Sequence, residues 1–303
     1  MKAVLAAGVA VLAGAVLAAQ SQHPLRSGVE LTVVTATVRD ADGHLVTGLP
    51  RSAFTAYEDG VQQPVQQFSH DRVPIGLGLL LDISDSMYGR RIQDARQAVE
   101  RFVADLLAPS DEFFVLAFNH EPRLLTPWTS DAAAVRAALE PVRPSGGTAI
   151  YDAVLTALPL IDHRSRERAA LVVISDGADT ASDATLRDVE SALLRTDAFI
   201  YAVGIDSPEP QPINTRVNAQ ALNDLTNPTG GRSEIVHDSA ELAAATARIA
   251  EELNSQYMVG YASPHPSDGQ YHSIRIKVNG AGYTVRTRNG YVAAPLGRKG
   301  AGD

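Results

Sequence analysis

Two aspartates, two serines and a threonine form the set with the clearest chemistry. Asp82, Ser84 and Ser86 stand at i, i+2 and i+4, directly after the apolar run 75–81. In an extended loop, that spacing puts three hard oxygens on one side. Asp176 ends a second apolar run, 170–175, and is followed by Gly177. Between the two lies Gly146-Gly147-Thr148, just ahead of a helical stretch. The glycines let this loop come close, and the threonine hydroxyl can then turn inward. The set contains two carboxylates and three hydroxyls, with no imidazole and no thiol. Hard oxygen donors with water suit Mg²⁺, with Mn²⁺ or Ca²⁺ as alternatives. A simple Asx or Ser turn accounts for residues 82–86 but leaves Thr148 and Asp176 unexplained.

The surrounding pattern says what must position these residues. Residues 75–81, 112–118, 170–175 and 198–204 are continuous apolar runs, as expected of strands covered on both faces. Helical patterns over 91–107, 130–139, 149–160, 185–195, 218–226 and 240–254 alternate with them, Ser130 being the expected cap of the second. Residues 123–125 read as a short antiparallel strand and 234–236 as a small edge strand. Strands alternating with helices predict an α/β fold, a doubly wound, Rossmann-like parallel sheet over 73–255. Ligands of such sheets bind at the carboxyl ends of the strands, where Asp82 and Asp176 fall.

Both flanks alternate with period two. In 28–39, Val29, Leu31, Val33, Thr35 and Thr37 share one face. Residues 44–46, 54–57 and 65–68 read as further strands, as do 256–262, 271–278 and 283–288. Each flank, 25–72 or 256–294, is too small to bury a core alone. Together they supply about seven strands, the size of a β-sandwich. The expected architecture is one sandwich built from both ends of the chain, with the α/β domain inserted. Residues 295–303 read as a flexible tail.

The chain has 303 residues and a formal charge of −9. That balance argues against nucleic acid as a partner, since phosphate binding needs a basic surface. Cysteine is absent, which excludes disulfides, thiolate metal sites and cysteine nucleophiles. Met1-Lys2 is followed by an unbroken small and apolar run, 3–19, and then by Gln20-Ser21-Gln22. This is the layout of a secretory signal peptide, 1–19, with cleavage expected after Ala18 or Ala19. As a membrane anchor the run is short and weakly hydrophobic, so membrane association is expected only if it stays uncleaved. The expected product is exported, whether periplasmic, on the cell surface or secreted.

With these residues in hand, the sequence resembles the von Willebrand factor A domains. Their metal-ion-dependent adhesion site reads D-x-S-x-S, then a distant Thr, then a distant Asp. Asp82, Ser84, Ser86, Thr148 and Asp176 match all five positions in order. The flanks are similar to those of a secreted A-domain subgroup described from acidobacteria. That likeness rests on Val33 through Val46, Gly48-Leu49, Phe54 and Glu58-Asp59-Gly60, and on Tyr257 to Tyr261 and Arg286 to Tyr291. The resemblance implies binding through a metal bridge, with a partner's Asp or Glu carboxylate filling an open position. It implies that Ser84, Ser86 and Thr148 reach the ion directly or through water, and that Asp82 and Asp176 act largely through water or as acceptors behind the ligands. Two carboxylates roughly neutralise the ion, while neutral hydroxyls leave it electrophilic toward a third, external carboxylate.

The neighbouring residues have plainer readings. Asp85 is expected to point away or to support the ligands from behind. Asp152 suits a helix's first turn as an exposed carboxylate, and Asp179 and Asp183 read as solvated. Met87, Tyr88, Arg90 and Arg91 read as the rim of the site, and the Pro-rich loop 207–218 as a contact loop on the same face. The eight histidines show no paired spacing and read as surface or core residues, and Trp128 reads as packing. No enzyme is expected. A dehalogenase-type start needs its second Asp at +2, where Ser84 stands, and no G-x-S-x-G elbow or phosphate loop occurs. Three functions follow: a metal-dependent adhesion or assembly module, a metal-dependent hydrolase, and an envelope scaffold with a vestigial site.

Overall fold

The computed structural model describes residues 31–176, 179–206, 217–265 and 267–293. The signal-like segment, the tail, Gly177 and residues 207–216 of the Pro-rich loop lie outside the described residues. The chain opens with strands β1 (Leu31–Arg39), β2 (Phe54–Glu58), β3 (Val61–Gln63) and β4 (Val65–Ser69). It then alternates: β5 (Ile75–Asp82), α1 (Arg90–Arg101), β6 (Glu112–Phe118), β7 (Pro122–Thr129), α2 (Ala132–Leu139), α3 (Ile150–Asp162) and β8 (Arg168–Ser175). Next come α4 (Leu186–Leu193), β9 (Phe199–Ile205), α5 (Ala219–Thr226), β10 (Ser233–Val236) and α6 (Ser239–Asn254). Four strands close the fold: β11 (Tyr257–Ala262), β12 (Tyr271–Val278), β13 (Thr284–Thr287) and β14 (Gly290–Val292).

The central sheet runs β10-β9-β8-β5-β6-β7 and is parallel except for β7, antiparallel at the edge. Every residue of β5 is buried. Leu77, Leu79 and Leu81 pack on one face with Ile92, Val99 and Phe102 of the first helical stretch and with Leu242 and Ile249 of α6. Leu80 faces the other side, with Val154 and Leu158 of α3, Val189 of α4 and Leu222 of α5. Each such aliphatic side chain taken from water contributes roughly 1.5–3 kcal/mol. Gly78 also faces that second side, where a Cβ would meet Leu171 and Phe114 at 2.4 and 2.5 Å. Its job is to make room for those side chains.

Local chemistry adjusts some expected limits. The first long helix changes to a π-helical turn at Phe102–Leu106. Asp131, not Ser130, caps α2, its carboxylate accepting from the Ala133 N–H at 2.8 Å. Trp128 packs edge-on against Phe114 and donates to the Leu160 carbonyl, a packing role as read.

The flanks pair across the whole length of the chain. They form two four-stranded sheets, β13-β1-β11-β4 and β14-β12-β2-β3. Each sheet mixes strands from both ends, and Val34, Ala36, Val38, Tyr257, Tyr261 and Ile276 fill the space between. Among the described residues eight strands occur instead of about seven. Residues 44–46 contribute only an isolated bridge from Leu45 to Arg39, while 61–63 and 290–292 are strands that went unread. In β1 the even residues enter the sandwich core. The odd face that the alternation picked out turns toward the α/β unit instead, with Thr37 donating to Glu252 of α6. Around Thr37 this sheet is thus covered on both sides, while Val33 on the same face stays exposed.

Glu252 is the main polar joint at that contact. It is fully buried, and its oxygens meet Arg39 at 2.9 Å, Arg232 at 3.3 Å, Tyr201 at 2.9 Å and also Arg286. Three guanidiniums from separate segments converge on one carboxylate, so the charge is both paired and hydrogen-bonded, as burial demands.

Candidate functional site

β5 and β8 are neighbours, with Leu81 opposite Ile174. The helix after β5 packs on one face of the sheet and the helix after β8 on the other. The chain leaves these two strand ends in opposite directions, the arrangement at which open α/β sheets place their ligand crevice. Asp82 ends β5 and Asp176 directly follows β8. Both are fully buried.

Asp82 is held on two sides. Its Oδ1 accepts from the Ser84 N–H at 2.8 Å, and its Oδ2 accepts from the Ser175 hydroxyl at 2.5 Å. Burial pushes the Asp82 carboxyl up to about 7, with the bonds from Ser175 and Ser84 pulling it down and the charge of Asp176 adding to the rise. Ser84 has an extended backbone, and the chain then tightens into the 3₁₀ turn Asp85–Met87. This sets the Ser84 and Ser86 hydroxyls 2.9 Å apart. Both serines are buried, while Asp85 between them faces solvent.

The loop 145–148 is fastened to this turn by its backbone. The Asp85 N–H donates to the Gly146 carbonyl at 2.9 Å, and the Ser145 N–H to the Ile83 carbonyl at 2.8 Å. Gly146 has φ +76°, and a Cβ there would sit 2.8 Å from His120 Nδ1, so the approach needs glycine. Thr148 follows two residues later and is buried. Its N–H donates to the Thr180 hydroxyl at 2.9 Å, and its carbonyl accepts from the N–H groups of Thr180 and Ala181. The loop bearing Thr148 is therefore joined both to the serine turn and to the segment that follows Asp176.

Several neighbours differ from their expected roles. Arg91 is buried, not on the rim. It donates to the Ser86 carbonyl at 3.1 Å and lies 3.9 Å from Asp176 Oδ2, linking the two halves of the site. Met87 is buried in the core, whereas Tyr88 is exposed and Arg90 pairs with Asp94 on the surface. Asp152 is half-buried, and its carboxylate accepts from the N–H groups of Asp183 and Ala184 at 2.9 and 3.0 Å. Asp179 caps the start of α3, accepting from the Ile150 N–H and the Ser182 hydroxyl. Asp183 is exposed, as read. Ser175 escaped the reading altogether. Its only signal was a hydroxyl beside Asp176 on a strand predicted to neighbour β5.

A family model described as von Willebrand factor type A domain matches residues 77–178. Inter-alpha-trypsin inhibitor heavy chain H4 of Homo sapiens is 24% identical over 213 residues, which are 65% of this chain and 22% of that protein. The chain thus spans about a fifth of that curated relative's length. Among solved structures, a von Willebrand factor type A protein from Catenulispora acidiphila aligns with 89% of this chain and 75% of its own, at 14% identity and TM-score 0.52. An aerotolerance-related membrane protein from Bacteroides fragilis aligns over 59% of this chain and 98% of its own, at 23% identity and TM-score 0.52. These structural likenesses concern the fold. The family match runs from β5 to just past β8, and the α/β unit has the von Willebrand factor A fold.

Proposed function

We propose that the crevice above β5 and β8 holds a divalent cation and, through it, a carboxylate of a protein partner. The observation that carries this reading is the Ser84–Ser86 hydroxyl pair, 2.9 Å apart beside two fully buried carboxylates. Neighbouring ligands of an octahedral Mg²⁺ at 2.0–2.1 Å lie about 2.9 Å apart, whereas those of Ca²⁺ lie roughly 3.3–3.7 Å apart. The donor set favours Mg²⁺, with Mn²⁺ the nearest alternative. Ser84, Ser86 and Thr148 would offer neutral oxygens, and Asp82 and Asp176 the charge, directly or through water. A bound cation would also relieve the repulsion between the two buried aspartates.

The charge balance favours an anionic partner. The Arg91 guanidinium sits beside Asp176. A dication and one guanidinium against two carboxylates leave a net positive site in a chain of charge −9. Its chemistry when loaded is an electrophilic coordination position open to an external carboxylate. Von Willebrand factor A domains bind protein partners, often with a metal, which agrees with an adhesion or assembly role and with no catalytic residue.

The apolar segment 1–19 supports export, and the compartment in this reading is the cell envelope or beyond it. No helix among the described residues is long and apolar enough to cross a membrane.

Pull-down from an envelope extract tests the partner claim. Proteins retained in Mg²⁺ and released by EDTA, and absent with Asp82→Ala, support it. Capture that is indifferent to EDTA and to Asp82→Ala replaces it with the scaffold reading.

A further inference from the structure

A second group of metal-ligating side chains lies outside the crevice, at one end of the sandwich. Asp59 stands in the turn between β2 and β3 with φ +50°, the one non-glycine residue with positive φ among those described. Pairing of β2 with β12, Glu58 opposite Ile274, brings it beside the start of β12. There His272 is buried, with one carboxylate at each ring nitrogen. Asp59 Oδ2 is 2.7 Å from Nδ1, and Asp268 Oδ1 is 3.0 Å from Nε2. His265, on the loop before β12, stacks face to face on His272 with ring centroids 4.7 Å apart and planes 3° from parallel. One ligand atom each from Asp59, His265 and His272 lies within 4.8 Å of the others.

We infer that Asp59, His265 and His272 form a binding site for a transition-metal dication, Zn²⁺ first, distinct from the oxygen-lined crevice. The donor chemistry differs in kind. Imidazole nitrogen selects zinc and its neighbours, while an oxygen-only set selects Mg²⁺. The outer arrangement is also that of a metal-bound histidine. With the metal at Nδ1, the Nε2–H of His272 donates to Asp268, which fixes the tautomer and the ring plane. The Asp59 carboxylate is itself fixed by the N–H of Ser273 at 2.8 Å and its hydroxyl at 3.2 Å. Tetrahedral zinc at about 2.0–2.1 Å needs ligand atoms about 3.3 Å apart. The Asp59–His272 edge is already short, so His265 makes most of the adjustment. Its side chain is 49% exposed and has room to turn inward. Any proton on Nδ1 leaves to solvent, and water completes the fourth position. With no cysteine in the chain, thiolates cannot compete for the ion. The bound ion would join the β2–β3 turn of one flank to the β11–β12 loop of the other.

The test is Zn²⁺ titration of the full chain against a chromophoric chelator, with Mg²⁺ in millimolar excess to occupy the crevice. The expected result is a zinc equivalent whose affinity falls at least ~10-fold in His265→Ala and in Asp59→Asn, the range for lost ligands and their supports. His44→Ala, in the exposed Asp40-Asp42-His44 group, is expected to leave it unchanged. Zn²⁺ should raise the Tm of the parent protein and not that of His265→Ala. His265 is half-exposed, so this variant reports even if His272→Ala fails to fold. X-ray absorption should show two imidazoles on the zinc. Equal affinity in the parent and His265→Ala, or a zinc spectrum without two imidazoles, overturns the site.

Discussion

The Ser175 hydroxyl donates to Asp82 Oδ2 across 2.5 Å, from the end of one parallel strand to the end of its neighbour. This bond fixes the orientation of a fully buried carboxylate before any cation arrives. It also couples the two strand ends that carry the aspartates. Removing it leaves Asp82 supported from the Ser84 side, by that residue's N–H and hydroxyl. Ser175→Ala is expected to weaken Mg²⁺ binding by ~10–100-fold, the usual effect of losing a support behind a metal ligand. Calorimetric titration checks this, and circular dichroism should show the fold unchanged.

The pH dependence follows from the same residue. Burial raises the Asp82 carboxyl from 3.8 to about 7. Between these values the folded chain keeps a proton that the unfolded chain releases. Stability of the metal-free protein therefore falls as pH rises from about 4 to about 7, and levels off above that. The total loss is on the order of 4 kcal/mol. Mg²⁺ affinity runs the other way, rising with pH up to about 7, because the ion needs the carboxylate. Urea unfolding in EDTA at several pH values, parent against Asp82→Asn, isolates this group. Asn stands in for the protonated carboxyl, so the parent's deficit relative to Asp82→Asn should grow from about pH 4 to about pH 7 and stay constant above, and a difference independent of pH across the window would contradict the assignment.

Glu252 is expected to govern stability more than binding. Truncation strands Arg39, Arg232 and Arg286 around a buried gap. Glu252→Ala should cost about 3–5 kcal/mol, the usual result of breaking a buried ion pair by removing one partner. The urea midpoint reads it. Mg²⁺ affinity of the folded fraction should stay within about twofold, since Glu252 lies at the sandwich contact and outside the crevice.

Gly231 gives a purely steric case. A Cβ there would lie 1.8 Å from the Ile200 carbonyl oxygen, which is backbone and cannot swing aside. Gly231→Ala must push the chain before β10 away from β9, at a cost of about 1–3 kcal/mol or more. Unfolding with urea checks this, and an unchanged midpoint would refute the close approach.

The sequence made the candidate site legible for a local reason. Asp82, Ser84 and Ser86 are close neighbours, so alternation alone puts them on one side. Thr148 and Asp176 became legible through the apolar strand and the glycines before them. Arg91 was misread because a charged residue at a helix start is ordinarily solvated, and only the packing of α1 over the crevice shows it buried. The two-sided cover of β1 around Thr37 was hidden for a similar reason. Val33 and Thr35 alternate as a half-buried strand should, yet the even face is the one that enters the sandwich. His272 and Asp59 are 213 residues apart, and only the β2–β12 pairing brings them together.

Magnesium titration of the purified protein tests the central claim most directly, with the parent compared against Asp82→Ala and Thr148→Ala. The account expects one Mg²⁺ bound by the parent, a Tm that rises with Mg²⁺, and loss of both effects in each variant. Mg²⁺ that neither binds nor stabilises the parent, or that binds all three proteins alike, would contradict it.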